Sequence, residues 1–460
     1  MEKRTLFGTS GIRGDAEKLF TSQFCFDIGR VFVKFLKENL IKDEKKIIKV
    51  AIGMDPRGSS PRIKESLIKG LIYEEVEVFD EGVTPIPSIN WLIKNTDIAS
   101  GMMITGSHIA ADLNGVKFYA HNEEITKKEE AKINELYEGI KNKVKASNIL
   151  GSVVLEEKAK GLYREMLAGL VSGELAKWKI AVDTANGGQS VVMPELLRNL
   201  GLNVLEVNCD PQKDFIARDT DTDDKAQIED LKKLVVTESC DLGVAYDGDG
   251  DRVVFIDEKG VFVKGEYSCG LVAKEQPGEA IVTTVSASMV VEHLGKKVVR
   301  TKVGSPYVVA AMKENNCLFG FEPNGGAVSA EIMYTRDGGS MTMKILNLFN
   351  KFVKENPGKH FSDMVATLPT FYMFRTKVDY KWELQQVILD QAQEKFKGIS
   401  VDETDGLKIW LDEKTWILFR SSQNAPEFRV FAESDRENKA KNLMQEGINL
   451  VNDVIKNNGR

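Results

Sequence analysis

Cysteine is scarce and never clustered. Cys25, Cys209, Cys240, Cys269 and Cys317 are five among 460 residues, and no two are spaced as C-x-x-C. That excludes a disulfide framework and a paired-thiolate zinc site, and it reads as buried thiols in a reducing compartment. An excess of positive charge is also missing. Lys and Arg number 62 against 69 Asp and Glu, for a net charge of -7. Neither nucleic acid nor an anionic membrane is therefore expected as partner, and an anionic ligand must be gripped by local cations. No apolar run is long enough to span a bilayer. The Met-Glu-Lys-Arg start lacks the apolar stretch of a signal peptide, so a cytoplasmic location is expected. There is no G-x-x-x-x-G-K-[ST] phosphate loop and no low-complexity linker. What remains is ordinary globular composition, 42% hydrophobic and 28% charged, at a length typical of about three to four domains.

Against that background one stretch stands out, Leu242-Gly-Val-Ala-Tyr246 followed by Asp247-Gly-Asp-Gly-Asp-Arg252. A short apolar run reads as a buried strand. It empties into three aspartates at alternate positions, and the intervening glycines let the loop fold tightly enough for the carboxylates to converge. Such an oxygen-only set suits Mg²⁺, which keeps open positions for phosphate or water. Arg252 adds a cation for a ligand more negative than the metal neutralises. The loop also imitates a calcium-binding EF-hand, with Glu258 at the twelfth position. However, Arg252 stands where that loop needs glycine, and a strand precedes it in place of a helix. A solvated acidic turn is the remaining alternative.

The rest of the chain alternates. A helix is predicted from Thr21 or Ser22, with Phe24, Ile28, Val31 and Phe35 on one face. Strands are predicted at Ile47 to Met54, Val76 to Phe79 and Ala99 to Ile104, with a helix opening at Ser60-Pro61 and a proline-fixed loop from Gly82 to Pro87. The charged run Glu123 to Glu135 reads as the exposed face of a helix and a boundary region. The pattern repeats with strands at Lys179 to Val182, Val204 to Val207 and 242–246, and helices at Val191 to Leu200 and Asp223 to Val236. A third round has strands at Ile281 to Val285, Val298 to Val303 and Cys317 to Phe321, with helices ending at Leu294 and Asn315. These are three rounds of roughly a hundred residues, implying parallel sheets covered by helices. The last stretch differs: a strand at Phe371 to Val378, a helix at Trp382 to Phe396, a hairpin at Leu407 to Leu418, a strand at Arg429 to Ala432 and a helix at Arg436 to Ile455. The expected fold class is α/β with four domains, bounded as 1–153, 154–255, 256–367 and 368–460. Three are repeated α/β domains with mixed, mostly parallel sheets, and the last is α+β.

In open α/β sheets ligands bind beyond the carboxyl ends of the strands. Three loops fall there: Thr105-Gly-Ser-His108, Asp247 to Arg252 and Glu322-Pro-Asn-Gly-Gly326. Ser107 is a candidate nucleophile or phosphate carrier, since a flanking glycine allows close approach and a metal would neutralise an added phosphate. Read alone, Thr-Gly-Ser is also an ordinary turn. His108 need not face the same site as its neighbour. Lys117 is a candidate acid/base or phosphate contact, with an exposed strand-edge lysine as the plain alternative. Glu322 suits paired sugar hydroxyls or a strand-capping turn. Arg420, Ser421, Ser422, Gln423, Asn424 and Arg429 combine guanidinium groups with small polar side chains, the mix a phosphate loop needs.

Taken together and in order, these motifs resemble the α-D-phosphohexomutase family, which includes phosphoglucomutase, phosphomannomutase and phosphoglucosamine mutase. Gly8-Thr-Ser-Gly-Ile-Arg-Gly14 is similar to its N-terminal motif, Thr105 to His108 to its phosphoserine loop and Asp247 to Arg252 to its magnesium loop. Glu322 to Gly326 resembles its sugar loop, and Arg420 to Arg429 its phosphate loop. The resemblance implies four domains around a central cleft, a phosphoserine at Ser107 and Mg²⁺ held by Asp247, Asp249, Asp251 and that phosphate. It implies a hexose 1,6-bisphosphate activator, from glucose or hexosamine, and catalytic roles for Arg13, Lys117 and Arg252. Substrate contacts would come from His108, Glu322, Asn324, Arg420, Ser422, Gln423, Asn424 and Arg429. The implied partner is a small sugar phosphate, and the implied state a monomer or homodimer.

Departures are specific. Asn324 and Gly326 stand where several relatives have serine and histidine, shifting acid/base work to Lys117 or Arg13. Asn424-Ala425 replaces a common Thr-Glu pair, and Ala110-Ala-Asp stands where many relatives have a proline or two. The motifs look most like archaeal-type phosphoglucosamine mutases, so glucosamine 6-phosphate to glucosamine 1-phosphate is the expected reaction. A phosphomannomutase/phosphoglucomutase of broad specificity is the alternative. A metal-dependent phosphatase and a non-catalytic sugar-phosphate-binding protein are the readings from other classes.

Overall fold

The computed structural model describes residues 6–8, 10–40, 47–143, 151–222, 226–422 and 426–458. The chain forms two compact units, Met1–Val272 with Asn324–Val365, and Ala273–Pro323 with Ala366–Arg460.

In the first unit, Thr21 caps the helix Ser22–Asn39 by accepting from the Phe24 amide. Phe24, Ile28, Val31 and Phe35 recur at three- and four-residue spacing and are all buried in one core with Val50, Ile52, Leu67 and Leu71. That core packs on a sheet whose strands Ser152–Leu155, Glu77–Val83, Lys49–Met54 and Ser100–Ile104 run parallel. Leu113–Ala120 then returns antiparallel to Ser100–Ile104, and Ile12–Asp15 pairs antiparallel with it. A second sheet places Lys179–Asp183 between parallel Asn203–Val207 and Leu242–Tyr246. Val253–Asp257 lies antiparallel on the far side of Leu242–Tyr246.

The second unit holds two sheets. Ala280–Thr284 pairs in parallel with Lys297–Thr301 and with Phe319–Phe321. The C-terminal sheet is wholly antiparallel: Tyr372–Asp379, Glu427–Ser434, Thr415–Ser421, Leu407–Asp412 and Ser400–Asp402 in spatial order. Helices Gln385–Lys395 and Glu437–Asn458 bury Ile388, Ala392, Leu443, Leu450 and Val451 with its apolar residues. The buried carboxylate of Glu433 accepts from the Met289 amide and the Trp416 indole, and the Lys408 ammonium donates to the Val285 carbonyl.

Several local expectations need correction. The region read as a loop from Gly82 to Pro87 is the end of strand Glu77–Val83 and the start of helix Ile86–Asn95. Pro87 sits in the first helical turn, where its missing N–H costs nothing. The charged run divides between the short strand Glu123–Glu124 and the helix Lys127–Ile140. Its Thr126–Glu129 capping box supplies the start signal. The second-round helix begins at Glu229; residues 223–225 lie outside those described. The helix read from Val191 to Leu200 is present as Met193–Asn199, preceded by the 3₁₀ turn Gly188–Val191, whereas the segment read as a helix up to Leu294 is the 3₁₀ turn Met289–His293. Helices Lys158–Gly169, Gly265–Glu275 and Gly338–Glu355 are additions to the expected set.

Candidate active site

Two loops of the first unit meet. Strand Leu242–Tyr246 is buried along its length, and Tyr246 pairs with Val253, so residues 247–252 form the connection between antiparallel neighbours. Strand Ser100–Ile104 likewise turns back into Leu113–Ala120, with Ile104 opposite Val116. Ser107 lies in the turn between them, fully buried, with φ of 55°. Its amide donates to Thr105 Oγ1 (2.7 Å), and its hydroxyl donates to Asp247 Oδ2 (3.0 Å). A left-handed serine is uncommon, and this one directs its hydroxyl at a carboxylate of the other loop.

Asp247, Asp249 and Asp251 are buried and each offers one carboxylate oxygen within 4.8 Å of the others. Two of them are also held by cations. Lys117 Nζ lies 2.9 Å from Asp249 Oδ2 and 3.4 Å from Asp251 Oδ2, and Arg336 Nη2 lies 2.6 Å from the same Asp251 oxygen. Asp249 Oδ1 and Asp251 Oδ1 are buried without a hydrogen-bond partner. Unsatisfied buried carboxylate oxygens are costly, and a divalent cation would satisfy both. The donor set is all oxygen and carries three carboxylates, so these residues fit Mg²⁺. Burial, then the neighbouring Asp249 and Asp251, raises the Asp247 carboxyl well above its usual range. Burial acts upward on Asp251 as well, but Arg336, Lys117 and Arg252 outweigh it and hold that carboxyl low.

The cations come from four elements. Arg13 on Ile12–Asp15 pairs with Gly115, two positions from Lys117, so both side chains share one face of the sheet. Lys117 is 1% exposed, which removes the edge-lysine alternative. Arg252 Nε lies 3.7 Å from both Asp247 and Asp251. Burial, then Arg252, pushes the half-buried Arg13 guanidinium down from its usual value, and its Nε is buried without a hydrogen-bond partner. The His108 Nδ1 is 3.4 Å from the Ser107 hydroxyl, so the histidine does join this site. Burial first, then Arg252, Arg13, Arg336 and Lys117, pushes its pKa well below the ordinary value. Three carboxylates thus face Arg13, Lys117, Arg252 and Arg336, and a divalent cation adds to that positive side. The arrangement suits a ligand bearing more than one phosphate charge.

Sequence reasoning missed Arg336, and it noted Gly326 only as a departure from the family's sugar loop, not as the residue that admits this arginine. A Cβ at Gly326 would lie 2.6 Å from Arg336 Cδ, so the absent side chain makes room for the guanidinium stem. Asn324 Oδ1 accepts from the Gly326 amide. Glu124 was missed too. It accepts from the Ser10 hydroxyl (2.5 Å), while Lys127 donates to Gly8 O (2.7 Å), and together they fix the N-terminal glycine-rich motif.

The other candidates lie in the second unit. Glu322 is buried directly after strand Phe319–Phe321. Arg420 and Arg429 are register partners on adjacent strands, and Arg420 Nε donates to Asp405 (2.6 Å). The Ser422 amide donates to Glu427 O. Gln423 and Asn424 lie outside the described residues.

Comparison with known proteins extends this reading. Residues 4–144, 163–260 and 261–372 match the family models for phosphoglucomutase/phosphomannomutase α/β/α domains I, II and III. The chain belongs to the phosphoglucomutase/phosphomannomutase family. A protein of Thermococcus kodakarensis named phosphoglucomutase/phosphomannomutase is 36% identical over 98% of this chain and 99% of its own. A probable phosphoglucosamine mutase of Methanopyrus kandleri is 30% identical over 97% of each. A crystal structure of a phosphoglucomutase/phosphomannomutase family protein from Burkholderia thailandensis superposes with a TM-score of 0.82 at 21% identity, covering 99% of this chain and 98% of that one. The family's architecture is the expected one, three α/β domains and an added C-terminal domain with a small antiparallel sheet. Its enzyme class is phosphohexomutase, an intramolecular phosphotransferase, and that is the class of this chain.

Proposed function

We propose that this chain interconverts hexose 6-phosphate and hexose 1-phosphate through a phosphoserine at Ser107 and a hexose 1,6-bisphosphate. The observation that carries the reading is the left-handed Ser107 hydroxyl, 3.0 Å from one of three clustered aspartates. In each half-reaction a phosphoryl group passes between Ser107 Oγ and a sugar oxygen. One P–O bond forms as the other breaks, and the proton of the attacking hydroxyl ends on the oxygen released. Mg²⁺ held by Asp247, Asp249 and Asp251 would draw charge from the transferring phosphoryl oxygens. Lys117 and Arg13 are the acid/base or phosphate-contact groups, and Arg252 balances charge on the moving phosphoryl. His108 and Asn324 contact substrate, Glu322 grips sugar hydroxyls, and Arg420, Ser422, Gln423, Asn424 and Arg429 hold the phosphate that is not reacting. We further propose four functional domains with boundaries after residues 153, 255 and 367.

For the sugar, the 36% relative named phosphoglucomutase/phosphomannomutase favours glucose and mannose phosphates over the glucosamine phosphate expected from the motifs. The relatives named probable phosphoglucosamine mutase, at 28–30% identity, keep glucosamine as the second reading. These sugars differ at carbon 2, and no residue described above is assigned to that position. The test is kcat/KM for the three sugar 1-phosphates on one preparation with Mg²⁺ and trace glucose 1,6-bisphosphate. Isomer formation without phosphate release is expected, fastest with glucose or mannose. Release of inorganic phosphate would make the protein a phosphatase, and a preference for glucosamine would restore the motif-based expectation.

A further inference from the structure

The serine loop is held from beneath by a residue that the mechanism above does not use. Arg57 follows strand Lys49–Met54, and its side chain is fully buried. Its Nη2 donates to Ser107 O (2.7 Å), its Nη1 to Ala110 O (2.6 Å) and Leu113 O (2.9 Å), and its Nε to Asp55 Oδ2 (3.0 Å). Asp55 Oδ2 also accepts from the Thr105 hydroxyl (2.7 Å), and that same oxygen of Thr105 receives the Ser107 amide. One planar cation thus gathers three carbonyls of the turn and the carboxylate that fixes its entry. A lysine could not reproduce that fork. The face of the guanidinium is covered by Phe215, its ring centroid 4.1 Å away. The metal loop meets the edge of Phe215: a Cβ at Gly248 would lie 2.2 Å from the ring and 2.8 Å from Ser107 O. Guanidinium and ring thus join the serine loop to the aspartate loop.

We propose that Arg57, backed by Phe215, is the positioning residue that aligns Ser107 Oγ with the three aspartates. It touches neither substrate nor metal and acts through the backbone of the serine turn. The inference rests on the reading that Ser107 accepts a phosphoryl group, and it adds the group that sets the acceptor's geometry. Among the described residues the other hydrogen bond to the Ser107 backbone is the one its amide gives the Thr105 hydroxyl, itself oriented by Asp55.

The experiment follows phosphoryl transfer from glucose 1,6-bisphosphate to Ser107 in a single turnover, in the full-length protein with Mg²⁺. Arg57→Ala is expected to slow transfer about 100-fold, the effect of displacing a reacting atom by roughly 1 Å. KM for glucose 1-phosphate and Mn²⁺ binding measured by electron paramagnetic resonance should stay near wild type, because substrate and metal ligands are untouched. The vacated site keeps four acceptors and an aromatic face, so millimolar methylguanidinium should restore transfer by about tenfold or more, and methylammonium should not. A merely structural arginine would show neither that split nor that rescue. If Arg57→Ala does not fold, Arg57→Lys decides. It retains a cation without the fork, and the proposal requires transfer slowed by about tenfold or more with KM held. Wild-type transfer in a folded Arg57 variant, or loss that methylguanidinium leaves unchanged in folded Arg57→Ala, overturns the positioning role alone. Failure of the wild-type protein to take up phosphoryl at Ser107 removes the mutase reading and this inference with it.

Discussion

Lys117→Met separates electrostatics from packing at the site, because methionine fills nearly the same volume without the charge. The ammonium is 1% exposed and lies 2.9 Å from Asp249 and 3.4 Å from Asp251. At an effective dielectric of about 20, the nearer contact is worth about 6 kcal/mol of Coulomb attraction. Desolvation of both ions offsets most of that, but removing one partner leaves buried carboxylate charge uncompensated, which costs about 3–5 kcal/mol. In chelator the variant should therefore melt about 3–5 °C below wild type. Saturating Mg²⁺ supplies the missing positive charge to the same carboxylates through their other oxygens, so the variant should gain more from the metal than wild type does. Turnover should remain about 10²–10⁴-fold low, the range for loss of an acid/base group. The assay is thermal unfolding with and without Mg²⁺, beside a mutase rate. Equal melting in chelator, or a Mg²⁺ shift no larger than wild type's, would refute the claim that Lys117 neutralises the empty triad.

Other outcomes are equally specific. Ser107→Ala should abolish most turnover with the fold retained, and intact-protein mass should lose the one-phosphate adduct; near-normal rates would exclude Ser107. Asp249→Asn removes one of three carboxylates, so Mg²⁺ affinity and activity should both fall, and EDTA should silence wild type reversibly; activity unchanged in chelator would refute the metal assignment. Gly326→Ala should displace Arg336 from Asp251, lowering turnover at wild-type stability away from the site; full activity would show that the close approach is unimportant. Burial raises the Glu81 carboxyl to about 7, while one oxygen accepts from the Ala159 amide. Between its unfolded value near 4.3 and about 7 the folded state binds the extra proton, so stability contributed there falls as pH rises. Glu81→Gln should match wild type near pH 4 and melt higher near pH 8, by up to about 3 kcal/mol; parallel melting curves across that range would contradict the account.

Much of the site was legible because its parts are contiguous. Asp247 to Arg252 and Thr105 to His108 each sit at the end of an apolar strand, where glycine and carboxylate or hydroxyl alternate within a few residues. The groups that orient them were not legible, since each acts across a long sequence separation. Arg57 reaches Ser107 fifty residues on, and Arg336 reaches Asp251 from eighty-five residues away. Each looks in sequence like any surface arginine. The parallel strands were recognisable as short apolar runs. Leu113–Ala120 and Met333–Arg336 were not, because they carry Asn114, Lys117 and Arg336, whose buried polar side chains erase the apolar pattern. Ile86–Asn95 was hidden by prolines that mark a helix start as readily as a loop.

Rapid-quench labelling tests the central claim most directly. The protein is mixed with Mg²⁺ and ³²P-labelled glucose 1,6-bisphosphate, then chased with unlabelled glucose 1-phosphate. The account predicts that label appears on Ser107 and leaves again as hexose bisphosphate, with none lost to water. Label on another residue, or label released as inorganic phosphate, would contradict it.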